Sequence, residues 1–406
     1  MNSRPRRPAR TARPRKPRGR SRVGERFETV AGPIAHGGHV VVRVPTGGVH
    51  EPTGEPETRV VFVRHALPGE RVLVEITEGT DGDRFWRGDA VEVLEASPDR
   101  VTPPCPYAGP RRCGGCDFQH VAPAAQRALK AAVLREQLTR LARLDPADPL
   151  LGPFLDTVVE AVPGDDDGLR WRTRQSYART PDGRRAMRLH RSHDVIPVED
   201  CLIARTDARE PAPGTVTETA LGRSFTVAAD GFWQVHPGAP GVLVDTVLEL
   251  LDPGPGESVL DLYSGVGLFT AFLADRVGPE GRVVAIEGDR RASDLSRDNV
   301  PAAEVAAGEV GHVLSTSYAG PVDLVVLDPP REGARRGVVE QVVTRTPRAV
   351  AYVACDPAAL ARDVAIFAEH GYRLAGLRAF DLFPMTHHLE CVALLVPGDD
   401  ADNRVE

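Results

Sequence analysis

The chain has 406 residues, 41% hydrophobic and 26% charged, enough for two or three domains with cores of their own. No run approaches 18 consecutive apolar residues and no apolar leader opens the chain, which argues against a helical membrane span and a secretory signal and makes the cytoplasm the expected compartment. The net charge of −7 conceals an asymmetry, because ten Arg and Lys with no acid in residues 1–22 leave −17 on the remainder.

Residues 1–22 are rich in Pro and Arg and have almost nothing to bury, so they are expected to be a disordered basic tail. Such a tail suits phosphate contacts. The plain alternative is a solvated tail in a chain that uses Arg nearly to the exclusion of Lys. Residues 23–101 follow as short β-branched runs separated by Gly, Pro and Asp turns, the pattern of a small OB-like β-barrel.

Residues 102–225 open on "CPYAGPRRCGGCDFQH", where Cys105, Cys113 and Cys116 crowd into twelve residues. In a cytosolic chain such crowding, with Cys201 further on, reads as metal binding rather than disulfides. Four thiolates suit zinc and iron–sulfur equally. A helix is expected over 124–143, with Leu129, Val133, Leu134, Leu138 and Leu141 on one face. Two strand-like runs come next. Arg170, Arg172 and Arg174 alternate with Trp171 and Thr173 in the first, which predicts either a phosphate-contacting face or a solvated one. A small α+β central domain is the expectation for this region.

From residue 226 to the end the texture is α/β. Apolar runs "SVLDLY", "RVVAIE", "VDLVVLD", "AVAYVAC" and "ECVALLVP" alternate with helical or loop segments, which predicts a doubly wound parallel sheet with ligands beyond the carboxyl ends of its strands. "VLDLYSGVGLFT" places Asp261, then a tight turn at Gly265 and Gly267, then a helix. The next strand ends in Glu287, where a carboxylate can take ribose hydroxyls. Thr270 stands where a dinucleotide fingerprint has its third Gly, which favours S-adenosylmethionine over a nicotinamide cofactor. Glu309 follows the next apolar run, within reach of an adenine amino group.

Three polar residues at strand ends are expected to share one crevice: Asp328 in "VVLDPPREG", Cys355 in "VACDP" and Glu390 in "HHLECV". A thiol, a carboxylic acid and a methyl donor define a reaction. Carbon 5 of a pyrimidine is a poor nucleophile until a thiolate adds at carbon 6, and a base must then remove the carbon 5 proton. An ordinary thiol is only a few per cent ionised at neutral pH, so the helix N-terminus after Cys355 is expected to favour its thiolate. Cys391, inside "CVALLV", reads as core.

These motifs together resemble the RNA 5-methyluridine (uracil-5) methyltransferases of the iron–sulfur, TRAM-domain type. "CGGCDFQH", "FWQVHP", "DLYSGVG", "DPPREG", "YVACDPAALARD" and "HHLECV" recur in that family's order, and "FVRHALPGE" and "SPDRVTPPC" resemble its TRAM barrel and exit. The resemblance implies a Rossmann-like S-adenosylmethionine methyltransferase domain, with Cys355 as nucleophile and Glu390 as base. It implies that Gln234, Tyr263, Gly265, Glu287, Glu309 and Asp328 contact the cofactor or target, that Phe232 lines the pocket with Gln234, and that Cys105, Cys113, Cys116 and Cys201 hold a [4Fe–4S] cluster. The expected partner is structured RNA, ribosomal RNA favoured and transfer RNA open, with the target uridine in a loop, where leaving the stack costs least; the pattern does not fix the oligomeric state, a monomer being favoured. The family usually has more residues between the last cluster cysteine and the Gln of "FWQVHP"; here Cys201 and Gln234 stand 33 apart, so part of the central sheet is expected to be trimmed. Amino-group methylation is disfavoured because Arg331 replaces the stacking aromatic of a DPPY motif. Cytosine-5 methylation is disfavoured because the Asp-Pro-Pro motif has no Cys. A non-catalytic RNA-binding protein is the alternative of a different class.

Overall fold

The computed structural model describes residues 19–49, 54 and 56–398, so most of the expected basic tail lies outside the described residues. The chain divides into two compact units. One comprises the described residues up to Pro33 together with His39–Pro98, and the other comprises Ile34–Gly38 together with the chain from Asp99 on.

In the first unit, strands Arg26–Val30, Arg71–Glu78, Phe85–Glu95, Pro56–Arg64 and His39–Val49 are neighbours in that order. All pairs are antiparallel except Pro56–Arg64 with Phe85–Glu95. Period-2 alternation turns Val40, Val42 and Val44 inward from one strand and Val72, Val74 and Ile76 from another, around a buried Trp86. The Trp86 indole N–H donates to the Thr80 carbonyl at 2.8 Å.

The second unit is built on an eight-stranded sheet. Its order is Glu304–Ala307, Arg282–Glu287, Ser258–Leu262, Leu324–Leu327, Ala349–Ala354, Glu390–Pro397, Tyr372–Asp381, Val159–Ala161. The first five run parallel, but Glu390–Pro397 is antiparallel to both its neighbours, so the sheet is mixed rather than wholly parallel. This reversal brings the start of that strand, and with it Glu390, to the carboxyl ends of the parallel strands.

Helices cover both faces. Strand residues Leu260, Leu262, Val325, Leu327 and Tyr352 share one core with Leu314, Val339, Leu360 and Phe367. Val259, Val326, Ala351 and Val353 share the other with Leu243, Leu251, Phe269 and Leu273. Each fully buried side chain of this kind contributes about 1.5–3 kcal/mol.

The boundary expected at 225/226 does not separate compact units. Helix Pro123–Gln137 and its π-helical continuation Leu138–Ala142 bury Leu134 and Leu138 in the first of these cores, and Val159–Ala161 pairs with Tyr372–Asp381 at the sheet edge. Hairpin Thr215–Ala220/Arg223–Ala228 buries Phe225 and Val227 in the second core. Short sheets, Arg172–Arg174 with Ala204–Arg209 and Ala178–Arg179/Arg185–Arg188/Val195–Pro197, surround the cysteine loop. No helix among the described residues is long and apolar enough to cross a membrane.

Candidate active site

Strand Ser258–Leu262 leads into a turn where Tyr263 takes a left-handed conformation with φ 65°, rare for a non-glycine residue and typical of functional turns. Gly267 follows at φ 90°, and a Cβ there would meet Ser296 Oγ at 2.8 Å, so only glycine closes this turn onto helix Leu268–Val277. The Glu287 carboxylate ties this turn to the next strand end, accepting from Gly265 N at 2.9 Å and Asp289 N at 2.6 Å. Glu309 caps helix Val310–Ser317 through Gly311 N and His312 N. Its charge, after burial, helps push the Tyr263 phenol up to about 12. Asp261 is wholly buried. Thr270 Oγ1 donates to its Oδ2, its Oδ1 has no partner among the described residues, and burial lifts its pKa to about 6.

Asp328 lies between this end and the chemical end. Its carboxyl is raised to about 7 by burial, then by the charges of Asp261 and Glu287. Glu390 is buried and its pKa is pushed well above the ordinary range by burial and by Asp328. The pairing of Ala354 with Cys391 sets Cys355 and Glu390 side by side at the same end of adjacent strands. Burial, Glu390 and Asp328 raise the Cys355 thiol to about 12, against a lowering influence from Arg331. The expected thiolate-favouring effect of the helix N-terminus is therefore not what governs Cys355. Burial, then Glu390 and Asp328, outweigh it, and Asp356, which caps that helix with its Oδ1 accepting from Ala359 N at 2.8 Å, adds a smaller negative influence beside the sulfur.

Cys355 opens on a cavity of about 190 Å³ shared with Lys130, Arg331, Asp356, His387 and His388. His36 Nε2 meets Asp356 Oδ2 across 3.0 Å at the same cavity, and this hydrogen bond raises the imidazole pKa. His387 Nδ1 meets Asp117 Oδ2 at 2.6 Å, and His388 Nε2 meets the Arg331 guanidinium at 3.3 Å. Lys130 is 1% exposed, bonded to Asp381 Oδ1 at 2.6 Å and the Phe383 carbonyl at 3.1 Å. The loop bearing Arg331 is anchored from helix Pro357–Glu369, where Asp363 Oδ2 accepts from Ala334 N at 2.7 Å and from the Tyr352 hydroxyl.

Phe232 and Gln234 do not line this cavity. Phe232 is 68% exposed, whereas Gln234 is buried in the segment between the hairpin and helix Ala239–Leu251.

Cys105, Cys113, Cys116 and Cys201 all line a second cavity, of about 230 Å³, together with Gln119 and Arg172. None is disulfide-bonded. Gly115 N donates toward the Cys113 sulfur at 3.4 Å and Gln119 Nε2 toward that of Cys116 at 3.5 Å. Among the described residues, no set of three or more His, Cys, Asp or Glu side chains is placed to hold a single metal ion. The neighbouring arginines are internal fasteners. Arg170 pairs with Asp200, Arg172 donates to the Arg174 carbonyl at 2.9 Å, and Arg174 donates to the Gly231 carbonyl. All three arginines are half-buried, and Arg172 lines the cysteine cavity.

A family model described as tRNA (Uracil-5-)-methyltransferase matches residues 310–397, the stretch that holds Asp328, Cys355 and Glu390. A second, protein-L-isoaspartate(D-aspartate) O-methyltransferase, matches residues 237–320, the glycine turn and its surroundings. A Streptomyces avermitilis protein described as an uncharacterized RNA methyltransferase is 44% identical over 93% of this chain and 99% of its own length. The 23S rRNA (uracil(1939)-C(5))-methyltransferase RlmD of Acidithiobacillus ferrooxidans is 31% identical over 83% of this chain and 92% of its own.

The chain belongs to the RNA uracil-5 methyltransferase family.

The crystal structure of the Pyrococcus abyssi tRNA (uracil-54, C5)-methyltransferase with S-adenosyl-L-homocysteine shares the fold, with a TM-score of 0.64 at 20% identity, covering 91% of this chain and all of that one. Within this family frame, sequence reasoning missed several cavity residues. In the sequence Arg331 stands out only as a non-aromatic fourth residue of a motif, and the two histidines only as part of "HHLECV". Lys130 sits in a helix whose apolar periodicity drew attention elsewhere. Its signal was compositional: it is one of two lysines in the whole chain, Lys16 being the other.

Proposed function

We propose that this chain transfers a methyl group from S-adenosylmethionine to carbon 5 of a uridine in structured RNA, through a transient bond between Cys355 and carbon 6. The carrying observation is the antiparallel strand Glu390–Pro397, which lays a buried carboxyl beside the one thiol that opens on the cavity. The Cys355 sulfur adds to carbon 6 and the ring electrons move toward carbon 5 and its neighbouring carbonyl oxygen. The methyl donor supplies an electrophilic methyl on a sulfonium, and carbon 5 takes it. Glu390, whose buried carboxylate is a stronger base than an exposed one, removes the carbon 5 proton; the electron pair reforms the ring double bond and expels the sulfur.

Tyr263, Gly265, Glu287 and Glu309 would hold the donor's nucleoside, with Glu287 on the ribose. Gln234 and Asp328 would face its reactive end and the target base. The relatives that carry a ribosomal RNA name favour a 23S rRNA uridine in a loop, where unstacking costs least.

The four cysteines of the second cavity have the donor chemistry of a [4Fe–4S] cluster, and we assign them to one. Such a cluster would cross-link Cys201 to the loop of Cys105, Cys113 and Cys116 and supply structure rather than electrons. Residues 23–101 would act as a TRAM-type, OB-like RNA-binding barrel, with the basic residues 1–22 adding phosphate contacts.

RNA carrying 5-fluorouridine, which has no removable proton at carbon 5, should trap a covalent adduct that maps to Cys355 when methyl donor is present. Cys355→Ala should abolish both adduct and methylation while RNA binding persists. An adduct on another residue, or RNA binding without methyl transfer to ribosomal or transfer RNA, would reject the enzymatic reading in favour of a binding protein. Mapping 5-methyluridine in both RNA classes from cells with and without the gene decides the substrate.

A further inference from the structure

Arg331 is exposed at the cavity mouth, and its side chain makes one hydrogen bond among the described residues, to His388 Nε2 at 3.3 Å. A guanidinium has only donors, so this nitrogen must be the bare acceptor of a neutral ring, with the proton on Nδ1. An imidazolium could not serve. The ring is kept neutral: burial, His387 and Arg331 hold its pKa down to about 3, against weaker upward pulls from Asp117.

The ring is also fixed in place. Phe383 packs edge-on against it at 5.9 Å and His387 lies 4.1 Å away, itself tied to Asp117 Oδ2 through both Nδ1 and its backbone N–H. The His388 backbone N–H donates to Thr386 Oγ1, whose hydroxyl donates to the Phe383 carbonyl at 2.7 Å. The charged groups acting on Cys355 are Glu390, Asp328 and Asp356, which oppose its ionisation, and Arg331, which favours it. Arg331 is also the cation that acts on Glu390. An untethered arginine at a cavity mouth samples many rotamers; a tethered one keeps its charge where the thiolate must form.

We propose that His388 is a positioning residue whose neutral Nε2 holds the Arg331 guanidinium toward the Cys355 sulfur, so that the thiolate forms beside a fixed positive charge. The thiol proton leaves to solvent. This rests on the reading of Cys355 as the nucleophile, and it assigns His388 no contact with the reacting atoms.

The test is the pH dependence of Cys355 alkylation by iodoacetamide in the full chain, located by mass mapping, for wild type, Arg331→Met, His388→Phe, His388→Gln and the Arg331→Met/His388→Phe double variant. His388→Phe keeps an aromatic ring against Phe383 but no acceptor. It should slow alkylation at pH 8 by roughly 3–10-fold, equivalent to half to one pK unit. Arg331→Met should do the same, and the double variant should be no slower than Arg331→Met alone. His388→Gln, whose amide oxygen can accept, should recover most of the rate. If His388→Phe is poorly folded, His388→Asn, too short to reach the guanidinium, replaces it with the same expectation. An unchanged profile in His388→Phe, no effect of Arg331→Met, or additive effects in the double variant would each overturn the proposal. The measurement needs neither RNA nor methyl donor, so a failure of 5-fluorouridine trapping with an intact alkylation pattern would count against the enzymatic function and leave this tether standing.

Discussion

Burial, ahead of Glu390 and Asp328, disfavours the Cys355 thiolate. At about 12 its pKa leaves about a thousandfold less thiolate at neutral pH than an ordinary cysteine, and the groups responsible are identifiable. Replacing Asp328 by Asn should speed alkylation of Cys355 at pH 8, where that carboxylate is charged, while abolishing methyl transfer. The same variant carries a stability signature. A carboxyl whose folded pKa is about 7 binds its proton more tightly folded than unfolded, so its contribution is full below about pH 4 and is lost as pH rises through 7. Asp328→Asn should therefore gain on the order of 1–3 kcal/mol over wild type at pH 8 and little at pH 4.5, measured by denaturant titration. Cys355, Asp328 and Glu390 were legible in the sequence because each interrupts an apolar run at a strand end. Arg331 and His388 were not, because their roles depend on a contact spanning 57 residues that no local pattern encodes.

At the scale of elements, helix Pro123–Gln137 anchors the segment 381–388 that carries His387 and His388. Gln126 accepts from Met385 N at 2.8 Å and donates to the Val121 carbonyl, and one turn later Lys130 reaches Asp381 and the Phe383 carbonyl. Lys130→Met leaves Asp381 buried without its counter-ion and should cost about 3–5 kcal/mol, read as a lowered denaturant midpoint. Lys130→Met/Asp381→Leu, which removes both charges, should recover much of that loss. Apolar periodicity located this helix, and Val133, Leu134 and Leu138 are buried as the pattern required. Periodicity did not say what the apolar face packs on, so the helix was expected in a central domain rather than on the large sheet. Strand Val159–Ala161 is three residues long, too short for any alternation to register. The reversal of Glu390–Pro397 was equally hidden, since a buried apolar run reads the same in either direction.

Across the whole second unit, the cysteine loop and segment 381–388 are joined by backbone hydrogen bonds. Asp117 N and Phe118 N both donate to the Met385 carbonyl at 3.0 Å, directly after Cys116. Cys116→Ser should therefore raise hydrogen exchange in residues 383–388 as well as in 105–119, with methylation falling alongside. Confinement of the change to the cysteine loop would show that the two segments move independently. The outermost strand adds a constraint of a different sort. Glu160 is 218 residues from Arg378, its ion-pair partner across the strand pair that completes the sheet edge. During synthesis at about 5–20 residues per second, that edge waits roughly ten to forty seconds for its partner to emerge. Until then the nascent polypeptide has an unfinished sheet and no assembled catalytic centre, so a chain released early is inactive and sticky, and a chaperone that shields the 123–161 stretch would raise the yield of working protein.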